Sequence, residues 1–306
     1  MNKKNILLIF GFGYTAKFLC KKLSGKNWEV YCTTRGREKI NEIKSINASP
    51  VLFNDAEKIE SIFSEDLYVL STVPPVSGED PVIENYGTVF KKNSNRIKWM
   101  GYLSTTSVYG DKKGAWVTED TVLEPSLERS ILRANIEKNW IKLGETYLIK
   151  TMVFRLSGIY GPGRNLIDRL RTSDKVFIVD KPNHFFNRIH VEDLAGAVCA
   201  SLDKPKLAGI YNVTDNLPTP GETVIDEASK IMQIPILPGI NFCDANLSPI
   251  IFFDHPHQGA YTISTLTLPL GSTGLSDSTG STESISLPIF KSKKNNMPFG
   301  LQIISN

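Results

Sequence analysis

Six residues near the amino terminus have the types and spacing of a phosphate-binding turn. Gly11-Phe12-Gly13-Tyr14-Thr15-Ala16 follows the apolar run Ile6–Phe10 and opens an amphipathic segment, the setting in which a G-x-G-x-x-[G/A] pattern receives the pyrophosphate of a dinucleotide. Gly11 suits the tight turn, Gly13 has no side chain to hold the phosphates off the backbone, and Ala16 lets the helix pack closely on the strand. Tyr14 and Thr15 open that helix, where free N–H groups and a partial positive charge face an anion.

The next chemical signal lies about 20 residues further on, where an NAD site places an acid on the ribose hydroxyls. The sequence reads Cys32-Thr33-Thr34-Arg35-Gly36-Arg37, without an acid. Arg35 suits charge-assisted hydrogen bonds to a 2′-phosphate and stacking on adenine, and Arg37 adds charge. The alternative is two solvated loop arginines. NADP is therefore the expected cofactor, with NAD the alternative. Asp55 either faces adenine or caps the next helix. Ser71 and Thr72, at the end of the fourth apolar run, complete the candidate cofactor contacts.

These residues need a scaffold, and the chain supplies one by alternation. Short apolar runs at Ile6–Phe10, Val30–Thr34, Val51–Phe53, Tyr68–Val73, Trp99–Ser104 and Leu148–Leu156 are separated by longer, helix-like segments. That order predicts an α/β fold with a doubly wound parallel sheet of order 3-2-1-4-5-6, helices on both faces, and a small substrate lobe built mainly after residue 160. Ala16, Leu19, Cys20 and Leu23 fall at i, i+3, i+4 and i+7 and predict one buried stripe on the first helix.

Length and composition agree. The 306 residues are 41% apolar, enough for a core, and 35 basic against 32 acidic residues leave a net charge of +3 spread along the chain. No basic face recommends nucleic acid or an anionic membrane, so a small soluble ligand is expected. No run approaches the length of a membrane span, and Ile6–Phe10 is shorter than the apolar region of a signal peptide. Cys20, Cys32, Cys199 and Cys243 lie far apart in the sequence without metal-ligand spacing, which points to buried or idle thiols in a reducing cytoplasm. His255-Pro256-His257 lacks the partners of a metal site, so no metal is assigned.

Four further blocks, in order, carry a family resemblance: Tyr102-Leu103-Ser104-Thr105-Thr106-Ser107-Val108-Tyr109-Gly110, Phe154-Arg155-Leu156-Ser157-Gly158-Ile159-Tyr160-Gly161-Pro162-Gly163, Arg188-Ile189-His190-Val191-Glu192-Asp193-Leu194-Ala195, and Tyr211-Asn212-Val213. With the glycine turn, the chain resembles the extended and atypical short-chain dehydrogenase/reductases, the NAD-dependent epimerase/dehydratase family, over residues 5 to about 240. The resemblance implies that Thr105 hydrogen-bonds the reacting oxygen, with Thr106 and Ser107 the less favoured alternatives. It also implies a Tyr-x-x-x-Lys pair on the following helix. With Glu137 matched to the family's usual acid, Arg129 stands in the tyrosine's place and Arg133 in the lysine's. Arginine stays protonated and is no substitute for a tyrosine acid/base, although Arg133 can still bind ribose or phosphate; a solvated helix face is the alternative for both. Relatives of this kind often pair through helices beside the central strands, which makes a homodimer an expectation.

His190 and Asp193 are expected to be mostly structural, and Arg164, Arg169 and Arg188 either meet an anionic substrate or pair at the surface. From about Asn246 the pattern changes, and Gly271–Thr282 is almost wholly small and polar. Ile285–Pro288 and Met297–Ile304 resemble the carboxy-terminal segment of amidase-signature hydrolases, without that family's Ser-Ser-Lys core. The expected division is a dinucleotide-binding domain over 1–245 and an irregular, fused tail over 246–306. The expected function is an atypical NADP-dependent epimerase/dehydratase-like oxidoreductase acting on a small hydroxyl- or carbonyl-bearing metabolite, such as a sugar or nucleotide sugar. A non-catalytic NADP-binding sensor or interaction protein, or an impaired fusion, is the alternative.

Overall fold

The computed structural model describes residues 4–172, 177–180, 185–233, 237–241 and 261–263. Its centre is a seven-stranded parallel sheet: β1 (Asn5–Phe10), β2 (Trp28–Thr34), β3 (Ser49–Leu52), β4 (Leu67–Ser71), β5 (Ile97–Thr105), β6 (Thr151–Leu156) and β7 (Gly209–Val213). The spatial order is 3-2-1-4-5-6-7. The expected doubly wound sheet is present, extended at one edge by β7.

The central strands read as unbroken apolar runs because both faces are covered. In β1, Ile6, Leu8 and Phe10 join a core with Ile59 and Ile62 of α3 (Ala56–Ile62), Tyr86 and Phe90 of α4 (Pro81–Lys92), and Ile136 and Trp140 of α5 (Glu128–Tyr147). The alternate residues Leu7 and Ile9, also fully buried, face the other way. The pairing of α1 (Tyr14–Leu23) with α7 (Val191–Leu202) belongs to the other layer, and the short α2 (Ile40–Ser45) lies between β2 and β3 in the chain. The predicted stripe Ala16, Leu19, Cys20 and Leu23 is buried. Cys20 and Cys32, 12 residues apart, meet with sulfurs 3.4 Å apart. Cys199 is half-buried.

The run read as Leu148–Leu156 becomes a strand only at Thr151. Leu148 ends α5 in the left-handed conformation (φ 56°), and the Ile149 N–H returns to the Gly144 carbonyl, the turn that closes a helix before a strand can start. Beyond β6, short strands at Gly158–Tyr160 and Arg188–His190 pair in parallel. There α6 (Leu166–Thr172) packs Leu166, Ile167 and Leu170 against Ile225, Ala228 and Met232 of α8 (Gly221–Met232). The amidase-like tail segments, the expected boundary near 245, Cys243 and the His255/His257 pair all lie outside the described residues.

Candidate cofactor and active site

The glycine turn sits at the carboxyl end of β1, beside β4, where the strand order reverses and ligands of open α/β sheets bind. Gly11 adopts φ +92°, and a Cβ there would stand 2.8 Å from the Thr72 hydroxyl oxygen. The Gly11 N–H donates to the Thr33 hydroxyl at 2.8 Å, and the Thr72 hydroxyl lies 3.1 and 3.0 Å from the Phe10 and Gly11 carbonyls. Lys39 donates to the Phe12 carbonyl at 3.1 Å. The turn is thus fixed from β2, β4 and the segment after β2. Gly13 differs from Gly11: it is exposed, and a Cβ built on it would meet nothing within 4 Å. It is the N-cap of α1, whose first turn carries no acidic residue. An open cradle before unpaired helix N–H groups fits a dinucleotide diphosphate.

Tyr14 is half-buried, Thr15 buried and Ala16 fully buried. Arg35 is exposed immediately after β2, and Arg37 opens a short 3-10 turn to Lys39. Asp55 caps α3, accepting from the Lys58 N–H at 3.0 Å. Ser71 is fully buried with its hydroxyl unpartnered, while Thr72 is half-buried against the turn.

Across the sheet, β5 delivers the hydroxyl-rich block. Thr105 is partly exposed at the strand end, its hydroxyl accepting from the Ser107 N–H at 3.3 Å. Thr106 and Ser107 are buried: the Thr106 hydroxyl donates to the Leu156 carbonyl, and that of Ser107 accepts from Ser130 of α5 at 3.1 Å. Arg129 is exposed on the first turn of α5. Arg133 turns toward β5, donating to the Tyr102 hydroxyl at 3.0 Å and the Leu103 carbonyl at 3.2 Å. Burial pushes the Tyr102 phenol well up despite Arg133 beside it.

One turn along, Glu137 and Arg155 form a buried ion pair at 3.0 Å, both side chains 3% exposed or less. Ser104 donates to Glu137, and Arg155 donates to the Tyr109 hydroxyl at 2.9 Å and the Glu119 carbonyl at 3.1 Å. Tyr109 donates to Asn212 of β7 at 2.6 Å. This network ties β5, α5, β6 and β7 together directly below Thr105.

The remaining candidates lie after β6. His190 caps α7, accepting from the Glu192 N–H at 3.3 Å, with its ring edge-on to Tyr160 at 5.2 Å, in keeping with a structural role. Arg164 lies over Tyr14, its guanidinium carbon 5.6 Å from the ring centroid. Arg188 donates to the Phe186 carbonyl at 3.3 Å, and the side chain of Arg169 is outside the described residues. Burial, reinforced by Asp215 and Asp193, pushes Tyr160 up to about 12, so its phenol keeps its proton at neutral pH. Among the described residues no group of three or more His, Cys, Asp or Glu could hold a metal, and no helix is long and apolar enough to cross a membrane.

Asp215 carries a testable consequence. Burial raises its carboxyl from 3.8 to about 6, against the opposing pull of the Leu217 N–H and Arg188. Between those values the folded chain holds a proton that the unfolded chain releases, so stability falls as pH rises from about 4 to about 6. Asp215→Asn keeps the Oδ1 that accepts from the Leu217 N–H at 3.2 Å and removes the buried charge. Urea midpoints at pH 4 to 7 should coincide with wild type at the acid end, with the variant more stable by on the order of 2 kcal/mol at pH 7. Parallel pH profiles would show that Asp215 carries no such penalty.

Set against known proteins, residues 89–214 match the NAD dependent epimerase/dehydratase family. A functionally unknown conserved protein from Silicibacter pomeroyi DSS is 33% identical, with a TM-score of 0.75 over 86% of this chain and 90% of that one. Protein YeeZ of Escherichia coli K12 is 26% identical over 67% of this chain and 76% of its own length. The dTDP-glucose 4,6-dehydratase of Bacillus anthracis, in complex with NAD, shares the fold at 19% identity, with a TM-score of 0.66 over 85% and 88% of the two chains. These similarities lend no support to the amidase-like reading of the tail.

Proposed function

We infer, from the premise that the chain belongs to one family with the conserved Silicibacter pomeroyi protein, that it is an NADP-dependent, epimerase/dehydratase-like oxidoreductase of a small hydroxyl- or carbonyl-bearing metabolite. The observation that carries this reading is the open, exposed Gly13 at the amino end of α1, in a turn whose other members are all held in place. The match over 89–214 supports a nicotinamide cofactor and an epimerase-like protein in preference to a purely binding role. A nucleotide sugar is the substrate class we propose, by analogy with the dehydratase of the same fold.

The dinucleotide, when bound, supplies hydride chemistry. The chain would hold its diphosphate on Gly13 and the first N–H groups of α1, and its 2′-phosphate on Arg35 with Arg37 adding charge. Thr105, partly exposed at the end of β5, would hydrogen-bond the reacting oxygen of the substrate. With Glu137 matched to the family's acid, the resemblance puts Arg129 in the place of the proton-exchanging tyrosine; an arginine stays charged at any working pH, so it would bind rather than transfer a proton. Arg133, bonded to Tyr102 and Leu103, would steady β5 beside the cofactor.

Calorimetric titration with NADPH and NADH tests the reading. Wild type should bind NADPH more tightly, and Arg35→Ala should weaken NADPH by about tenfold or more while leaving NADH nearly unchanged, the loss of a charge-assisted contact. Absence of binding by either nucleotide would overturn the cofactor assignment. Equal affinities insensitive to Arg35 would move it to NAD.

A further inference from the structure

Arg164 stands 150 residues from Tyr14 in sequence, yet its guanidinium lies over the ring of that first residue of α1. Three contacts put it there. Gly161 and Arg164 exchange backbone hydrogen bonds at 3.0 Å in each direction, closing a tight turn. Asn165 donates to the Gly161 carbonyl at 3.2 Å, and the Tyr14 hydroxyl donates to the Pro162 carbonyl at 3.0 Å, fastening the turn to the glycine loop. Gly161 approaches so closely that a Cβ would lie 2.7 Å from the Tyr14 hydroxyl and 2.8 Å from Val191. The side chain itself is exposed, and among the described residues no carboxylate is paired with it.

An exposed guanidinium placed over an aromatic ring is pre-organised, because the ring removes some of the rotamer freedom that an arginine otherwise loses on binding. Here the ring belongs to the residue whose N–H is among the unpaired donors of α1. The cation therefore stands over the side chain of the residue that follows Gly13.

We propose that Arg164 is a diphosphate clamp, a positioning residue that closes over the dinucleotide's pyrophosphate from the segment after β6. This rests on the cofactor reading above and adds to it. The dinucleotide is then gripped at two points, by Arg35 at the 2′-phosphate and by Arg164 at the central diphosphate. Planar N–H pairs suit phosphate oxygens, and a clamp on Pro162–Asn165 couples cofactor binding to the order of the segment that leads into α6.

The test titrates wild type, Arg164→Gln and Arg164→Lys with three probes: NADPH, ADP-ribose, which has the diphosphate without nicotinamide, and adenosine 2′-monophosphate, which has none. The expected result for Arg164→Gln is a loss of about tenfold or more with NADPH and ADP-ribose and no change with adenosine 2′-monophosphate. Arg164→Lys should recover part of the loss, and the slope of log Kd against log salt should flatten in the glutamine variant. A merely structural role would weaken all three probes together and leave the slope unchanged, overturning the clamp. Unchanged NADPH affinity in Arg164→Gln, with wild type binding well, would overturn the clamp alone. Failure of wild type to bind any probe would overturn both the clamp and the cofactor reading.

Discussion

Gly13→Val should fold to a stability within about 1 kcal/mol of wild type and bind dinucleotide at least about 100-fold more weakly. The two halves of that result have separate causes. Gly13 sits at φ −103° and ψ −168°, extended backbone open to a β-branched residue, and a Cβ there meets no atom within 4 Å; exchanging glycine, an acceptable N-cap residue, for valine, a poor one, costs about 1 kcal/mol. The same empty space is where a diphosphate must approach the first N–H groups of α1, and an isopropyl group would hold it off the backbone. Gly11→Val is the instructive contrast. At φ +92°, with the Thr72 hydroxyl 2.8 Å from the new Cβ, it should lower the unfolding midpoint and affinity together. Urea unfolding and NADPH titration of the same preparations separate the cases. If Gly13→Val binds like wild type, the cradle is not the diphosphate site.

Glu137→Ala should cost about 3–5 kcal/mol of stability. Removing the carboxylate leaves Arg155 charged, 3% exposed and without its ion-pair partner, and it takes away the acceptor of Ser104. Against a total stability of about 5–15 kcal/mol this is a substantial fraction. Chemical denaturation measures it directly. Replacing both partners, as Glu137→Met with Arg155→Met, should avoid much of the loss, because an apolar pair of similar volume needs no compensation for buried charge. A loss below about 1 kcal/mol in Glu137→Ala would show that water reaches Arg155 and that the network below Thr105 is not sealed.

Much of this was legible locally. The G-x-G-x-x-A turn, the apolar strand runs and the i, i+3, i+4, i+7 stripe of α1 are short-range patterns, and each became the element it predicts because both faces of the sheet had to be covered. The seventh strand was visible only as the block Tyr211-Asn212-Val213, since an edge strand carries less apolar signal; Gly209 is exposed and Ile210 and Tyr211 are only partly buried. Asp55 illustrates a local ambiguity: the sequence allowed adenine contact or capping, and the structure shows the capping bond to the Lys58 N–H.

The contacts that shape the site were beyond such patterns. Thr33, Thr72 and Lys39 reach the glycine turn from other elements, and Arg164 reaches it from 150 residues away. Neither a period nor a motif marks a threonine as the acceptor of a particular N–H. By itself the sequence determined the order of strands and helices and the place of the glycine turn at the end of β1. Those follow from residue type and spacing within a few turns of chain. Only the tertiary structure decided which hydroxyl of the Thr105–Ser107 block is partly exposed, that Arg133 turns into β5, that Glu137 and Arg155 share a buried network, and which arginine lies over the turn. Each depends on how strands distant in sequence come to lie side by side, and that is set by burial of the whole core rather than by any stretch of it.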